Sequence, residues 1–314
     1  MDFKTYEALG LHRSVADEPD PWAVVINGRS NAEIAAAANT PGDRQYHPNP
    51  EAFPADDTPR GSVASHRDWA GARIFPGTSR DLWIYTPANF DPTGPAPALI
   101  VFQDGAGYLN RNGPVRATAV LDTLIAAEEA PPTVALFIQP GRREGAEPRP
   151  GRDRQRSIEY DSMTDDYVRF LLEDASPFVE SQIGCKLTTD PRRRTICGIS
   201  SGGICAFTAA WHRPDAFGRV ISHCGSFTAI RGGHNYPPLI RKTERKPIRV
   251  WMQSGEADAD IIHGNWPLAN KAVAAALQFA GYDFKFVFGE GGHSLRHGGA
   301  LFADALRWLW RPEE

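Results

Sequence analysis

The sequence predicts an α/β fold, a mainly parallel central sheet with helices on both faces, preceded by an extended N-terminal arm. Three observations carry this. From residue 98 onward, short apolar runs alternate with stretches that keep apolar residues at helical spacing. Those runs, such as 98–102, are continuous rather than alternating, as in strands covered on both faces. One of them enters a glycine-flanked serine, Gly198-Ile199-Ser200-Ser201-Gly202, and a small-residue, helix-compatible run leaves it.

Bulk properties narrow the class of function. With 314 residues and 41% apolar content the chain can bury a substantial core. A net charge of -4, with both signs spread along the chain, gives no reason to bind nucleic acid or a membrane surface, so small-molecule chemistry is expected. The first residues lack a basic-then-apolar leader and no long apolar run follows, which predicts a cytoplasmic protein. The four cysteines, Cys185, Cys197, Cys205 and Cys224, have no paired metal-ligand spacing and read as buried free thiols. No metal or other cofactor is expected.

Taken in order, residues 1–60 form a proline-rich arm of extended chain and short helices. Its aromatics Trp22, Tyr46 and Phe53, with Trp69 beyond it, dock the arm on a domain spanning 61–314, as packing or as one wall of a cleft. Residues 62–69 and 80–86 read as an antiparallel pair opening the sheet. Strand 98–102 ends in Gln103-Asp104-Gly105-Ala106-Gly107-Tyr108, a helix lies within 115–129, and strand 133–138 follows. A loop over 140–156 carries Arg142, Arg143, Arg149, Arg152, Arg154 and Arg156. It is either a cationic rim for a carboxylate, catecholate or phosphate, or a solvated loop balanced by Glu144, Glu147 and Asp153. A helix over about 164–181 leads to the serine turn. Strands 219–226, 248–253 and 283–288 then alternate with helices 265–280 and 300–311, requiring crossover connections.

The serine turn has a chemical reading and a plainer one, a glycine-rich turn that only packs. In the chemical reading Gly198 and Gly202 give clearance for a strained backbone that projects the Ser200 hydroxyl above the strand end. A serine needs a base, and the base needs a group to fix its tautomer. Two later strand ends supply both. After 248–253 come Glu256, Asp258 and Asp260; after 283–288 comes His293 within a glycine-rich loop. The order serine, acid, histidine is that of α/β-hydrolases. Asp258 is the acid, three residues beyond Gly255, with Glu256 the alternative; His297 is the reserve base. The oxyanion donors are the backbone amides of Ser201 and of Ala106 or Gly105. Tyr108, Asn110, Arg111, Trp266 and His297 follow these strand ends and are candidates for the cleft lining.

Several motifs together resemble the putative-esterase family, and most of all its enterochelin-esterase-like α/β-hydrolases. They are Gly198-Ile199-Ser200-Ser201-Gly202-Gly203, Phe102-Gln103-Asp104-Gly105, Arg156-Ser157-Ile158-Glu159-Tyr160-Asp161, Trp211-His212-Arg213-Pro214-Asp215-Ala216-Phe217-Gly218 and Gly291-Gly292-His293, spread over roughly residues 60 to 311. The resemblance implies a metal-free serine esterase acting on a siderophore trilactone, an acyl sugar or another carboxylic ester, with Ser200, Asp258 and His293 as triad. Some relatives transfer acyl groups instead. The enterochelin esterases carry a sizeable N-terminal β-domain where this chain has about 60 proline-rich residues. The expected activity is hydrolysis of a carboxylic ester or lactone through an acyl-enzyme on Ser200. The alternatives are an acyltransferase or peptidase with the same triad, or a non-catalytic hydrolase-fold binding protein. The partner is a small-molecule ester, anionic or aromatic in the two readings the arginine loop and the family leave open.

Overall fold

The computed structural model describes residues 40–143 and 154–312. Eight strands form the path of the central sheet: β1 (Ser62–Trp69), β2 (Thr78–Thr86), β3 (Ala98–Gln103), β4 (Thr133–Ile138), β5 (Arg194–Ile199), β6 (Arg219–His223), β7 (Arg249–Ala257) and β8 (Asp283–Gly292). Their order is β1-β2-β4-β3-β5-β6-β7-β8. β1 pairs antiparallel with β2, and β2 antiparallel with β4. Every later pairing along the path is parallel.

The helices are α1 (Gly105–Leu109), α2 (Ala117–Ala126), α3 (Arg154–Asp161), α4 (Asp166–Phe170), α5 (Ser176–Ile183), α6 (Ser201–His212), α7 (Tyr236–Lys242), α8 (Trp266–Phe279), α9 (Leu295–Ala300) and α10 (Phe302–Trp310). A π-helical turn, Leu171–Ala175, joins α4 to α5, so the helix expected over 164–181 is one helical segment with a bulge.

Side-chain alternation explains why apolar residues run continuously along the middle of the central strands. Leu99, Val101, Ile196, Val220, Val250 and Met252 face one side, where they pack with Phe170, Phe207, Ile240 and Val273. Ile100, Phe102, Cys197, Ile221 and Trp251 face the other, against Tyr108, Leu121, Leu306 and Leu309. Each face has its own core, so both register positions of these strands are mostly apolar, and the polar residues among them, such as Thr195, Ser222 and Gln253, are buried. Truncating one large residue, as in Phe207→Ala, would cost about 3–5 kcal/mol.

Several boundaries differ from the sequence reading. β6 stops at His223 rather than 226, because Cys224 takes φ 46° and turns the chain. β7 and β8 run past 253 and 288 to Ala257 and Gly292, so positions 258 and 293 leave the sheet edge directly. α3, α7 and α9 had no sequence signal. α3 is almost wholly polar, α7 carries Pro237 and Pro238 in its first turn, and α9 contains Gly298 and Gly299.

The described part of the arm makes two short 3-10 turns, Pro41–Gln45 and Pro50–Ala52, and packs on the sheet domain. Asp43 is buried against the end of β8, and Arg307 reaches Glu51 at 2.5 Å. Tyr46 stacks on His297, whereas Phe53 stays exposed beneath the Arg116 guanidinium. Trp22 lies outside the described residues.

The described ends of the arginine loop, 140–143 and 154–156, tie its arginines to the body of the protein, while Glu144, Glu147 and Asp153 lie outside the described residues. Arg142 pairs with Asp68 and Asp81, Arg143 donates to Gln155, and Arg156 grips Asp104. These arginines are cross-links to the body of the protein, and Arg154 is partnered as well. Arg149 and Arg152 lie outside the described residues. Beside this loop, Arg80 and Glu159 form a wholly buried pair at 2.7 Å; Glu159 also accepts from the Gly141 amide and from Gln155.

Candidate active site

The turn between β5 and α6 puts Ser200 at φ 60°, ψ -121°, a conformation costly for a residue with a side chain. Two backbone bonds hold it there: Ser200 N donates to His223 O at 2.9 Å, and Ser226 N donates to Ser200 O at 3.0 Å. The flanking glycines are dictated by crowding. A Cβ on Gly198 would enter the backbone of Gly202, and one on Gly202 would stand 3.1 Å from Gln103 Cβ. α6 begins at Ser201; the Gly203 and Ile204 amides donate to Ser200 O, while those of Ser201 and Gly202, ahead of the first helical bond, open beside the Ser200 hydroxyl.

Ser200 Oγ lies 2.9 Å from His293 Nε2, and His293 Nδ1 lies 2.6 Å from Asp258 Oδ1. The three residues come from the ends of β5, β7 and β8, all at the carboxyl edge of the sheet. The Asp258 side chain is fully buried; it also accepts from Ala259 N at 2.8 Å and Ser254 Oγ at 2.9 Å. Burial opposes its charge, but the neighbouring imidazole and these donors outweigh burial and hold the carboxyl below its ordinary value. Glu256 and Asp260 are exposed, and Asp258 is the carboxylate that meets His293. Gly255 lies within β7 and is needed because a Cβ there would strike the backbone of Gly291.

The loop after β3 turns at Asp104, φ 52°, into α1. A Cβ on Gly105 would overlap the Phe137–Ile138 backbone, which explains that glycine. Arg156 holds the Asp104 carboxylate through two nitrogens, at 3.0 and 2.6 Å, and the Asp104 amide donates to Tyr160 Oη at 3.3 Å. The α3 motif thus fixes the loop that carries the proposed oxyanion amides. The Ala106 amide donates to Gln139 Oε1 at 3.3 Å. Behind the elbow, Asp161 is buried, which raises its pKa; Arg156, Ser157 and Ser201 oppose that rise.

The cleft candidates separate. Tyr108 is corrected: it is fully buried under α1, with its hydroxyl 3.0 Å from His223 Nδ1, because the side chain turns inward from a five-residue helix. His297 is corrected too, both as lining and as reserve base. It is 2% exposed, accepts from Gln253 Nε2 at 2.9 Å, stacks on Tyr46 at 4.0 Å, and burial pushes its pKa down to about 4. Trp266 is buried, with its ring edge-on to His293 at 5.8 Å, forming the wall behind the imidazole rather than an open surface. Asn110 and Arg111 are exposed on the turn after α1, where Asn110 Oδ1 accepts from Asn112 N.

Two residues at the site escaped the sequence reading. Ser226 brings its hydroxyl to 3.2 Å from Ser200 Oγ; its place after a glycine at the end of the strand beside β5 was the available signal. Asp43 gave no local signal of a place at the site, since the partners that bring it there, Gly292 and Ser294, lie some 250 residues away. Among the described residues, Cys224, Asp258 and His293 have ligand-type atoms within 4.8 Å of one another. Both imidazole nitrogens already face Asp258 and Ser200, so this set suits proton transfer rather than metal binding.

The profile of the family described as Putative esterase matches residues 75–308. The chain is 27% identical over 257 residues to the iron(III) enterobactin esterase of Dickeya dadantii, covering 77% of this chain and 54% of that protein. It therefore spans about half the length of that relative. The enterobactin esterase of Shigella flexneri, solved in the presence of 2,3-di-hydroxy-N-benzoyl-serine, superposes with a TM-score of 0.63 at 20% identity, over 86% of this chain and 62% of that one. A ferulic acid esterase of the anaerobic fungus Anaeromyces mucronatus superposes with a TM-score of 0.64 at 14% identity, over 83% and 95%. At these identities the superpositions establish the shared α/β-hydrolase fold.

Proposed function

The chain belongs to the putative-esterase family, and we propose that it is an enterochelin-esterase-like serine esterase hydrolysing a carboxylic ester or lactone through an acyl-enzyme on Ser200, a reading supported by its likeness to the Dickeya relative. The observation that carries this is the unbroken hydrogen-bonded line from Asp258 through His293 to Ser200.

In this reading Ser200 Oγ attacks the acyl carbon while His293 Nε2 takes its proton, and Asp258 holds the tautomer and offsets the imidazolium charge. His293 then protonates the departing alkoxide, and a water repeats the sequence to free the acid. The oxyanion is met by the Ser201 amide and by Gly105 or Ala106; the long Ala106 to Gln139 bond is one a substrate oxygen can replace. No metal or cofactor is needed for these steps.

The substrate is of siderophore-ester, acyl-sugar or aromatic-ester type, the first supported by the name of the Dickeya relative. Residues 1–60 are proposed as an arm packed on a catalytic domain of residues 61–314, supported by the contacts of Asp43, Tyr46 and Glu51. A cytoplasmic location is supported by four cysteines that remain free thiols; among the described residues no helix is long and apolar enough to cross a membrane.

The test offers the purified protein a catecholate trilactone, an aromatic sugar ester and a short-chain aryl ester, each with and without an alcohol acceptor. Release of free acid from at least one ester is expected. Acyl transfer without hydrolysis would make it a transferase, and no turnover of any ester would sink the proposal.

A further inference from the structure

Ser226 follows β6, and its hydroxyl oxygen lies 3.2 Å from Ser200 Oγ and 3.2 Å from Trp266 Nε1. Ser226 and Trp266 are 1% and 0% exposed, so bulk water does not compete for these bonds. Together with the Ser200, His293 and Asp258 contacts, they extend the active-site line to five residues. An indole N–H can only donate and an ionised carboxylate can only accept. These two ends fix the direction of every bond between them.

At the acid end, Asp258 Oδ1 takes the proton of His293 Nδ1, which leaves Nε2 as acceptor for the Ser200 hydroxyl. At the other end, Trp266 Nε1–H occupies a lone pair of Ser226 Oγ. With its own proton turned toward His293, Ser200 Oγ has only lone pairs to offer Ser226. The Ser226 hydroxyl is therefore the donor in the bond between the two serines.

We infer that Ser226 is a further catalytic residue, a fixed hydroxyl donor that stabilises negative charge on Ser200 Oγ, and that Trp266 is the residue that positions it. This rests on Ser200 being the nucleophile. Ser226 keeps its own proton throughout. In acylation the Ser200 proton moves to His293 Nε2 as the Oγ–acyl bond forms, then passes to the alcohol oxygen as the ester bond breaks. In deacylation a water proton moves to Nε2 as the hydroxyl adds, and then to Ser200 Oγ as the Oγ–acyl bond breaks. Charge develops on Oγ while it attacks and again while it leaves, and a donor aimed at that atom favours both transition states over the bound substrate. The bond from Ser226 N to Ser200 O at 3.0 Å keeps the two residues in register through both steps.

The test is a double-mutant cycle on the full chain with an aryl ester, supported by the rate of fluorophosphonate labelling. Ser226→Ala should lower kcat and the labelling rate about 10- to 100-fold, with KM changed less than about twofold. Trp266→Phe should give a smaller loss that vanishes when Ser226 is already alanine. Wild-type kcat in Ser226→Ala would overturn the inference, as would losses that multiply in the double variant. If Ser226→Ala does not fold, Ser226→Cys keeps the volume with a weaker donor; reduced kcat at unchanged KM is again expected, and wild-type kcat again overturns it. Ser200→Ala, run in parallel, separates the two ideas: if it retains turnover the nucleophile assignment fails, whereas an inert Ser200→Ala beside a fully active Ser226→Ala removes only the role given to Ser226.

Discussion

Asp43 and Ser294 meet in a 3.0 Å hydrogen bond across 251 positions of sequence. The same carboxylate oxygen, Asp43 Oδ1, accepts from the Gly292 amide at 3.1 Å. One buried side chain from the arm thus brackets His293 on both sides, while the other oxygen accepts from the Thr40 amide at 3.1 Å. Asp43→Ala would leave buried donors unpaired and free the histidine loop. We expect a stability loss of about 1–3 kcal/mol and a kcat lower by about tenfold or more, with KM little changed. Asp43→Asn, which keeps an acceptor oxygen, should lie closer to wild type. Urea unfolding and steady-state kinetics read the two effects separately.

The acid can be assigned by paired substitutions. Asp258→Asn keeps the shape but lets the amide favour the wrong imidazole tautomer, and kcat should fall by about 10⁴-fold. Glu256→Gln, on the exposed side of β7, should change kcat less than about twofold. The reverse ranking would move the acid role to Glu256.

The Arg80–Glu159 pair tests what anchors α3 and the loop before it. Both side chains are wholly buried, and Arg80 also lies over the Phe170 ring at 4.3 Å. Glu159→Ala strands a guanidinium in the core and should cost about 3–5 kcal/mol in urea unfolding. The double replacement Arg80→Met with Glu159→Leu removes both charges and should be less damaging than Glu159→Ala alone.

Stability should decline with acid because of two buried histidines. Burial holds His297 down to about 4 and His223 to about 3, against an ordinary value of 6.5; the nearness of His297 also disfavours a charge on His223. As pH falls below about 6.5 the unfolded chain takes up protons that the folded chain refuses, so folded stability is lost. The loss is about 1.4 kcal/mol per pH unit for each histidine, down to its folded value. Above pH 6.5 neither contributes a slope. Asp258, held low, contributes stability that is complete above the ordinary carboxylate value of 3.8 and is lost only at more acid pH. Urea midpoints measured from pH 7 to pH 5 should therefore fall, and more gently in His297→Gln; a flat profile would contradict the neutral state of these rings.

The sheet was legible because its inner strands are buried on two faces, and continuous runs such as 98–102 show this in one dimension. The serine turn was legible for a similar reason: Gly198 is imposed by backbone crowding within the turn itself, while Gly202 faces the Gln103 side chain of β3. Ser200, Asp258 and His293 each follow a strand, so local pattern pointed to them as candidates and the three-dimensional contacts join them. What escaped depended on distance in sequence. Asp43 meets partners some 250 residues away, Ser226 reaches Ser200 only because β6 lies beside β5, and Arg142 and Arg156 look like free cations until Asp68, Asp81 and Asp104 are seen to pair with them. Tyr108 and His297 were misplaced because proximity to a strand end does not say which way a side chain turns.

The most direct test of the whole account is intact-protein and peptide mass analysis after exposure to a fluorophosphonate, with aryl-ester turnover followed in the same samples. The account predicts one phosphonyl group, carried by the peptide containing Ser200, together with complete loss of turnover, and neither labelling nor turnover in Ser200→Ala. A label on any other residue, or undiminished turnover in Ser200→Ala, would contradict it.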